Sequence, residues 1–272
     1  MIRRGYVNLS SGRVFMRESG SGPPVVFCHG APDTGAVWRD VAMHLSRSFR
    51  CIVPDLPGLG RSAPMRDYSV AHRGEWIEEL LAACNVREPV HLVGHSHGAV
   101  FTAGAAIRGS VAVGSLTLLG SLRYDDHWFA RLSRVPVAGE TAVWLLKRGF
   151  MRWAVEAEMR RGSPRLPREY VRSLHERQRG ASARAIVRLY RHERRADLAD
   201  AERRLFASLH RLPLLLVWGR RDPYDPVDEF PERARQMGAR VHVFERAGHW
   251  TPVEEGEALS GVLHGFLRAA AA

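Results

Sequence analysis

The sequence predicts an α/β fold: a mainly parallel sheet of the eight-stranded type, flanked by helices, with a helical segment inserted into it. Three observations lead there. Short apolar runs of strand length at Val25–Cys28, Pro89–Val93, Ser115–Leu119 and Leu214–Trp218 alternate with longer helix-patterned segments. The runs are continuously apolar, as strands covered on both faces must be. The alternation then breaks after Ser121, where about ninety residues carry helical spacing and no convincing strand.

Each element has its own signal. Tyr6–Leu9 and Arg13–Arg17 read as an opening hairpin around Ser10-Ser11-Gly12. Strand Val25–Cys28 is followed by a helix near Ala36–Ser46 and a strand at Arg50–Val53. A helix over Val70–Cys84 precedes the strand at Pro89–Val93, and the small apolar stretch from Ala99 to Ile107 reads as a buried helix. In the inserted segment, Val143-Trp144-Leu145-Leu146, Phe150 to Trp153, the set Ile186, Leu189 and Tyr190, and the set Leu198, Ala201, Leu205 and Leu209 recur at helical spacing. Strands resume at Leu214 and at Arg240–Glu245. The expected organisation is therefore a core of residues 1–121 and 212–272, with a helical lid over 122–211 between the sixth and seventh strands.

Composition excludes several classes. The chain has 272 residues, 45% of them hydrophobic, enough for one large domain with a full core. No apolar run reaches the roughly 18 residues of a membrane span, and the stretch from Met1 to Tyr6 has no apolar leader. Three cysteines without a C-x-x-C pattern fit reduced thiols and a cytoplasmic location. The net charge of +11 is almost wholly arginine, Lys147 being the sole lysine, which points to GC-rich coding more than to phosphate contact. No nucleic-acid motif accompanies it. The excess is concentrated between Arg123 and Arg211, and Arg160, Arg161, Arg165, Arg168, Arg172, Arg177 and Arg179 crowd one stretch. An anionic substrate or an acidic carrier protein is one reading of that cluster, and a solvated arginine face is the other.

The chemistry is carried by Gly94-His95-Ser96-His97-Gly98, a G-x-S-x-G at the junction of a strand and a helix. A serine on such a sharp turn has a strained backbone and an exposed hydroxyl, with a helix N-terminus beneath it. A serine nucleophile needs a base, and the base an orienting acid. Asp222 lies just past the strand Leu214–Trp218, and His249 just past Arg240–Glu245, so the order is serine, acid, histidine. Asp225 is the rival acid three residues on; Asp222 comes first after the strand and is stiffened by Pro223. In His29-Gly30-Ala31-Pro32, a strand delivers a loop whose Ala31 N–H, together with the N–H of His97, can face a carbonyl oxygen that gains negative charge.

Together with Asp55-Leu56-Pro57-Gly58-Leu59-Gly60-Arg61-Ser62, these motifs resemble the α/β-hydrolase superfamily over nearly the whole chain. The Asp-x-x-Gly-x-Gly-x-Ser stretch and the His-Gly-x-Pro loop are similar to its epoxide hydrolase, dehalogenase and esterase-like branch. Epoxide hydrolases and haloalkane dehalogenases of that fold use an Asp nucleophile, whereas this chain has Ser96. The resemblance therefore implies a serine hydrolase with a triad of Ser96, Asp222 and His249 and no metal or organic cofactor. The expected substrate is a small acyl compound: a carboxylic ester, lactone or thioester. Cleavage of a carbon–carbon bond beside a ketone is the alternative, and a non-catalytic ligand-binding member of the fold is another. His29, Trp128, Trp144, Met151 and Trp250 are expected to border the pocket. His91, His95 and His97 invite a metal reading, but the sharp turn separates the last two and the motif lacks the Asp-His continuation of hydrolytic metal sites.

Overall fold

The computed structural model describes residues 2–120, 122, 128–148, 152–177, 183–192, 195–207, 212–225, 234–235 and 238–271. Eight strands form one sheet: β1 (Ile2–Leu9), β2 (Gly12–Ser19), β3 (Pro24–Cys28), β4 (Arg50–Pro54), β5 (Val90–His95), β6 (Val113–Leu119), β7 (Leu214–Gly219) and β8 (Arg240–Phe244). Their order is β1-β2-β4-β3-β5-β6-β7-β8. The β1–β2 hairpin and the β2–β4 pair are antiparallel, and every later pairing is parallel. Strands β3, β5 and β7 are buried along their whole length, which is why they read as unbroken apolar runs.

Helices cover both faces. On one, α2 (Val70–Ala83) and α3 (His97–Arg108) pack Trp76, Leu80 and Phe101 over Val26 and Leu92. On the other, the single turn Gly35–Trp38, α1 (Arg39–Leu45) and the C-terminal helix place Trp38, Leu45, Leu259 and Leu263 over Val25, Phe27 and Val93. Between β6 and β7 run α4 (Trp128–Arg134), α5 (Ala138–Lys147), α6 (Arg152–Gly162), α7 (Arg168–Arg177), α8 (Ala183–His192) and α9 (Arg195–Ala207). Two helices close the chain, α10 (Thr251–Glu254) and α11 (Gly256–Ala271). Among the described residues no helix is long and apolar enough to cross a membrane.

The strand order creates a crevice. From β3 the chain moves to β4 on one side, then returns to β5 on the other. The loops leaving β3 and β5 therefore diverge, and ligands bind in parallel sheets at such a reversal. The loop after β4 supports one wall. Asp55, buried there, accepts bonds from Arg17 Nη1 at 2.8 Å, Gly35 N–H at 3.0 Å and Arg61 N–H at 3.1 Å. The Asp-x-x-Gly-x-Gly-x-Ser motif is thus a structural turn that ties β2, the β3 loop and itself together. Asp55→Ala strands all three donors. Unfolding in urea should show a loss of about 3 kcal/mol; a loss under about 1 kcal/mol would mean that the turn holds without its carboxylate.

Candidate active site

Ser96 follows the last residue of β5 and caps α3 with φ +54° and ψ −124°. L-residues rarely adopt that conformation, so the surrounding packing must enforce it. Gly94 and Gly98 permit it. A Cβ on Gly94 would lie 2.4 Å from Thr102 Oγ1, and one on Gly98 would lie 2.3 Å from the Cys28 carbonyl oxygen. The second approach presses the start of α3 against the end of β3 and brings the two loops together. A Cβ on Gly30 would lie 3.2 Å from Ser96 Oγ, so the His29–Gly30 loop passes directly beside the hydroxyl. Ala31 continues that loop, and His97 opens α3, where N–H groups lack intrahelical acceptors.

Asp222 and His249 meet across the loops that follow β7 and β8. His249 Nδ1 lies 2.7 Å from Asp222 Oδ2. A carboxylate only accepts, so Nδ1 carries the proton and Nε2 is the basic nitrogen. The other oxygen, Oδ1, accepts the N–H groups of Tyr224 at 2.9 Å and Asp225 at 3.3 Å, which fixes the carboxylate plane. The rival Asp225 is occupied elsewhere: its Oδ2 accepts from Trp218 Nε1 at 3.1 Å. Burial alone would disfavour the His249 cation. The Asp222 charge and hydrogen bond, helped by Asp225 and Glu254, outweigh it and leave the pKa above the ordinary histidine value.

The remaining histidines have different work. His29 Nε2 accepts the Leu56 N–H at 2.8 Å, so its Nδ1 holds the proton and donates to the Gly30 carbonyl, also at 2.8 Å. Both ring nitrogens are consumed in bracing two loops, and burial lowers its pKa despite the nearby Asp55. His29, expected at the pocket border, is therefore a neutral brace within the wall. His91 Nδ1 bonds Ser115 Oγ at 2.8 Å, His95 Nε2 bonds the His249 carbonyl at 2.8 Å, and the His97 ring packs edge-on to Tyr190 at 5.0 Å. These three point at separate partners.

Of the expected pocket residues, Trp250 is buried, with its ring edge-on to His249 at 5.1 Å and Nε1 donating to Asp33 Oδ2 at 3.3 Å. Trp144 is 47% exposed with Arg148 3.8 Å over its ring, so the structure gives it a solvent-facing place rather than one in a closed lining. Met151 and the side chain of Trp128 lie outside the described residues. One residue beside the site carried no sequence signal of its own. Asp33 is buried, accepts from Trp250 and from Tyr170 Oη of α7, and lies 3.6 Å from Arg177 of the same helix. Its place directly after His-Gly-x-Pro was the available hint.

A family model described as the alpha/beta hydrolase fold matches residues 23–256. The chain belongs to the α/β-hydrolase family. It is an enzyme of that family, and its relatives span several reactions. It is 29% identical over 277 residues to a 2-hydroxymuconate semialdehyde hydrolase of Pseudomonas sp. (strain CF600), covering 94% of this chain and 90% of that protein. It is 26% identical to a cis-3-alkyl-4-alkyloxetan-2-one decarboxylase of Shewanella oneidensis, covering 92% and 83%. Among solved structures, the epoxide hydrolase CorEH without ligand superposes with a TM-score of 0.80 at 20% identity, covering 99% of each chain. That likeness is one of fold.

The geometry of this α/β-hydrolase ranks its two carboxylates. Titrating the His249 ring by NMR should show a lower pKa in Asp222→Asn than in Asp225→Asn, because only Asp222 holds Nδ1 directly. The reverse order would reassign the acid.

Proposed function

We propose that the chain is a serine hydrolase that cleaves a carboxylic ester, lactone or thioester through an acyl-enzyme. The observation that carries the reading is the strained Ser96 elbow at the sheet's switch point, with the Asp222–His249 pair delivered to the same edge. In the proposed mechanism His249 Nε2 takes the proton of Ser96 as Oγ attacks the carbonyl carbon. The N–H groups of Ala31 and His97 stabilise the oxyanion. Collapse breaks the bond to the leaving group, which receives the proton from His249. A water then attacks the acyl-enzyme with His249 as base, releasing the acid and restoring Ser96. Asp222 keeps the proton on Nδ1 and stabilises the imidazolium.

Residues 122–211 act in this reading as a lid, set between β6 and β7 and bound to the loops around the site. The arginine cluster in it favours an anionic substrate or acidic carrier only in part. Arg165 pairs with Glu255, and its N–H bonds Glu254, so it serves lid–core contact. Arg168 is exposed at the start of α7, and in this reading it is the member of the cluster placed to steer an anionic substrate.

The likeness to a semialdehyde hydrolase over 94% of this chain favours a second reading, hydrolysis of a carbon–carbon bond beside a ketone. Both readings need the same nucleophile, so they separate by substrate. Purified protein assayed on a panel of short p-nitrophenyl esters, lactones and 1,3-diketones should turn over the first two faster.

Ser96→Ala should fold normally and lose roughly 10³-fold or more in ester hydrolysis; activity within about tenfold of wild type would remove Ser96 from the role of nucleophile. The pH profile has a fixed sign. The base must be neutral, and the carboxylates around His249 keep its cation to higher pH. So kcat/KM should rise with pH, with its midpoint above the ordinary histidine value. A midpoint below that value would contradict the pairing with Asp222.

A further inference from the structure

His249 is held by its main chain as well as by its ring. Its N–H donates to the Gly162 carbonyl, at the end of α6, at 2.8 Å. Its carbonyl accepts from His95 Nε2 at 2.8 Å. The next N–H, that of Trp250, donates to Ser163 Oγ at 2.7 Å, and Ser163 is fully buried. Gly162 admits this approach because a Cβ there would lie 2.7 Å from the Tyr224 ring and 2.8 Å from the Trp250 ring. The base is therefore clamped between the inserted helices and the strand that carries the nucleophile.

His95 suits this place chemically. A carbonyl only accepts, so Nε2 of His95 is protonated; its Nδ1 has no hydrogen-bond partner among the described residues. Complete burial, with His249 close by, keeps the ring neutral. The two rings lie 4.8 Å apart. The charges facing His249 are the carboxylates of Asp222, Asp225 and Glu254. A cationic donor in place of His95 would oppose them, whereas a neutral imidazole donates without changing the local charge.

We propose that His95 and Ser163 are positioning residues for His249, holding its backbone so that Nε2 meets Ser96. The inference rests on the triad reading above. Asp222 restrains only Nδ1, and a ring held at one atom can still swing with its Cα. The bonds at the His249 N–H, the His249 carbonyl and the Trp250 N–H remove that freedom. His95 adds a direct coupling, because it is covalently joined to Ser96: a single dipeptide carries the nucleophile and the donor that sets the base.

The test is the rate of Ser96 labelling by a fluorophosphonate as a function of pH, with ester kcat and KM alongside. His95→Phe and Ser163→Ala should slow labelling on the high-pH plateau by about 10- to 100-fold, while His95→Gln, which keeps an N–H donor, should stay within about threefold of wild type. In the two slow variants the midpoint should fall as the His249–Asp222 pair slackens, and kcat should drop with KM little changed. Wild-type rate and midpoint in both variants would overturn the inference. So would a loss of labelled fraction with the rate and midpoint of the remainder unchanged, which is the mark of a purely structural role. If His95→Phe does not fold, Ser163→Ala and the His95→Gln comparison decide. Failure of the wild type to label, or equally fast labelling of His249→Ala, would overturn the triad reading instead.

Discussion

The approach of α3 to the end of β3 is the constraint on which the site depends. Gly98 lies against the carbonyl oxygens of Cys28 and His29 with no room for a side chain. That contact sets the height of the helix N-terminus relative to the loop after β3. It also forces Ser96 into a conformation that a serine would not choose alone. The energy for this comes from burial elsewhere: strands β3 and β5 are covered on both faces, and their apolar side chains are removed from water along their whole length.

Environment gives four histidines near this contact four different parts. His29 is neutral because both ring nitrogens are spent on backbone groups of two loops. His95 is neutral because it is buried beside another imidazole. His97 lies in the first turn of α3 with its ring against Tyr190. His249 bonds a carboxylate directly through Nδ1, with Asp225 and Glu254 also close, and its pKa rises. The residue type supplies a titratable ring; partners and burial decide what that ring does.

The inserted helices are bound to the loops around this site by a dense set of polar contacts. Besides the bonds at His249 and Trp250, Tyr224 Oη donates to Glu158 Oε1 at 2.8 Å, and Asp33 receives Tyr170 of α7. Asp33 lies in the loop after Gly30, and Tyr224 follows Asp222 by two residues. A displacement of α6 or α7 is thus felt by the segments that carry the candidate base, its acid and the loop beside the candidate nucleophile.

The sequence by itself determined the fold class, the order of strands and helices, and the position of the helical insertion. These follow from short-range patterns: continuous apolar runs for buried strands, helical spacing in the inserted segment, and glycines flanking the serine. It also singled out Ser96, Asp222 and His249 as candidates, because each falls directly after a strand end and parallel strands share one carboxyl edge. Only the tertiary structure decided what touches what. Asp33, Gly162 and Ser163 sit beside the site because α6 and α7 fold back onto loops far away in sequence, and no local pattern encodes such a contact. His29 looked like a pocket residue because it stands in the right loop, yet its ring turns inward to a backbone N–H at Leu56. Trp144 looked like lining because it is aromatic at helical spacing, yet it faces solvent beneath Arg148. Periodicity tells which residues share a helix face; which neighbour that face meets depends on long-range packing, which the sequence specifies only through the whole fold.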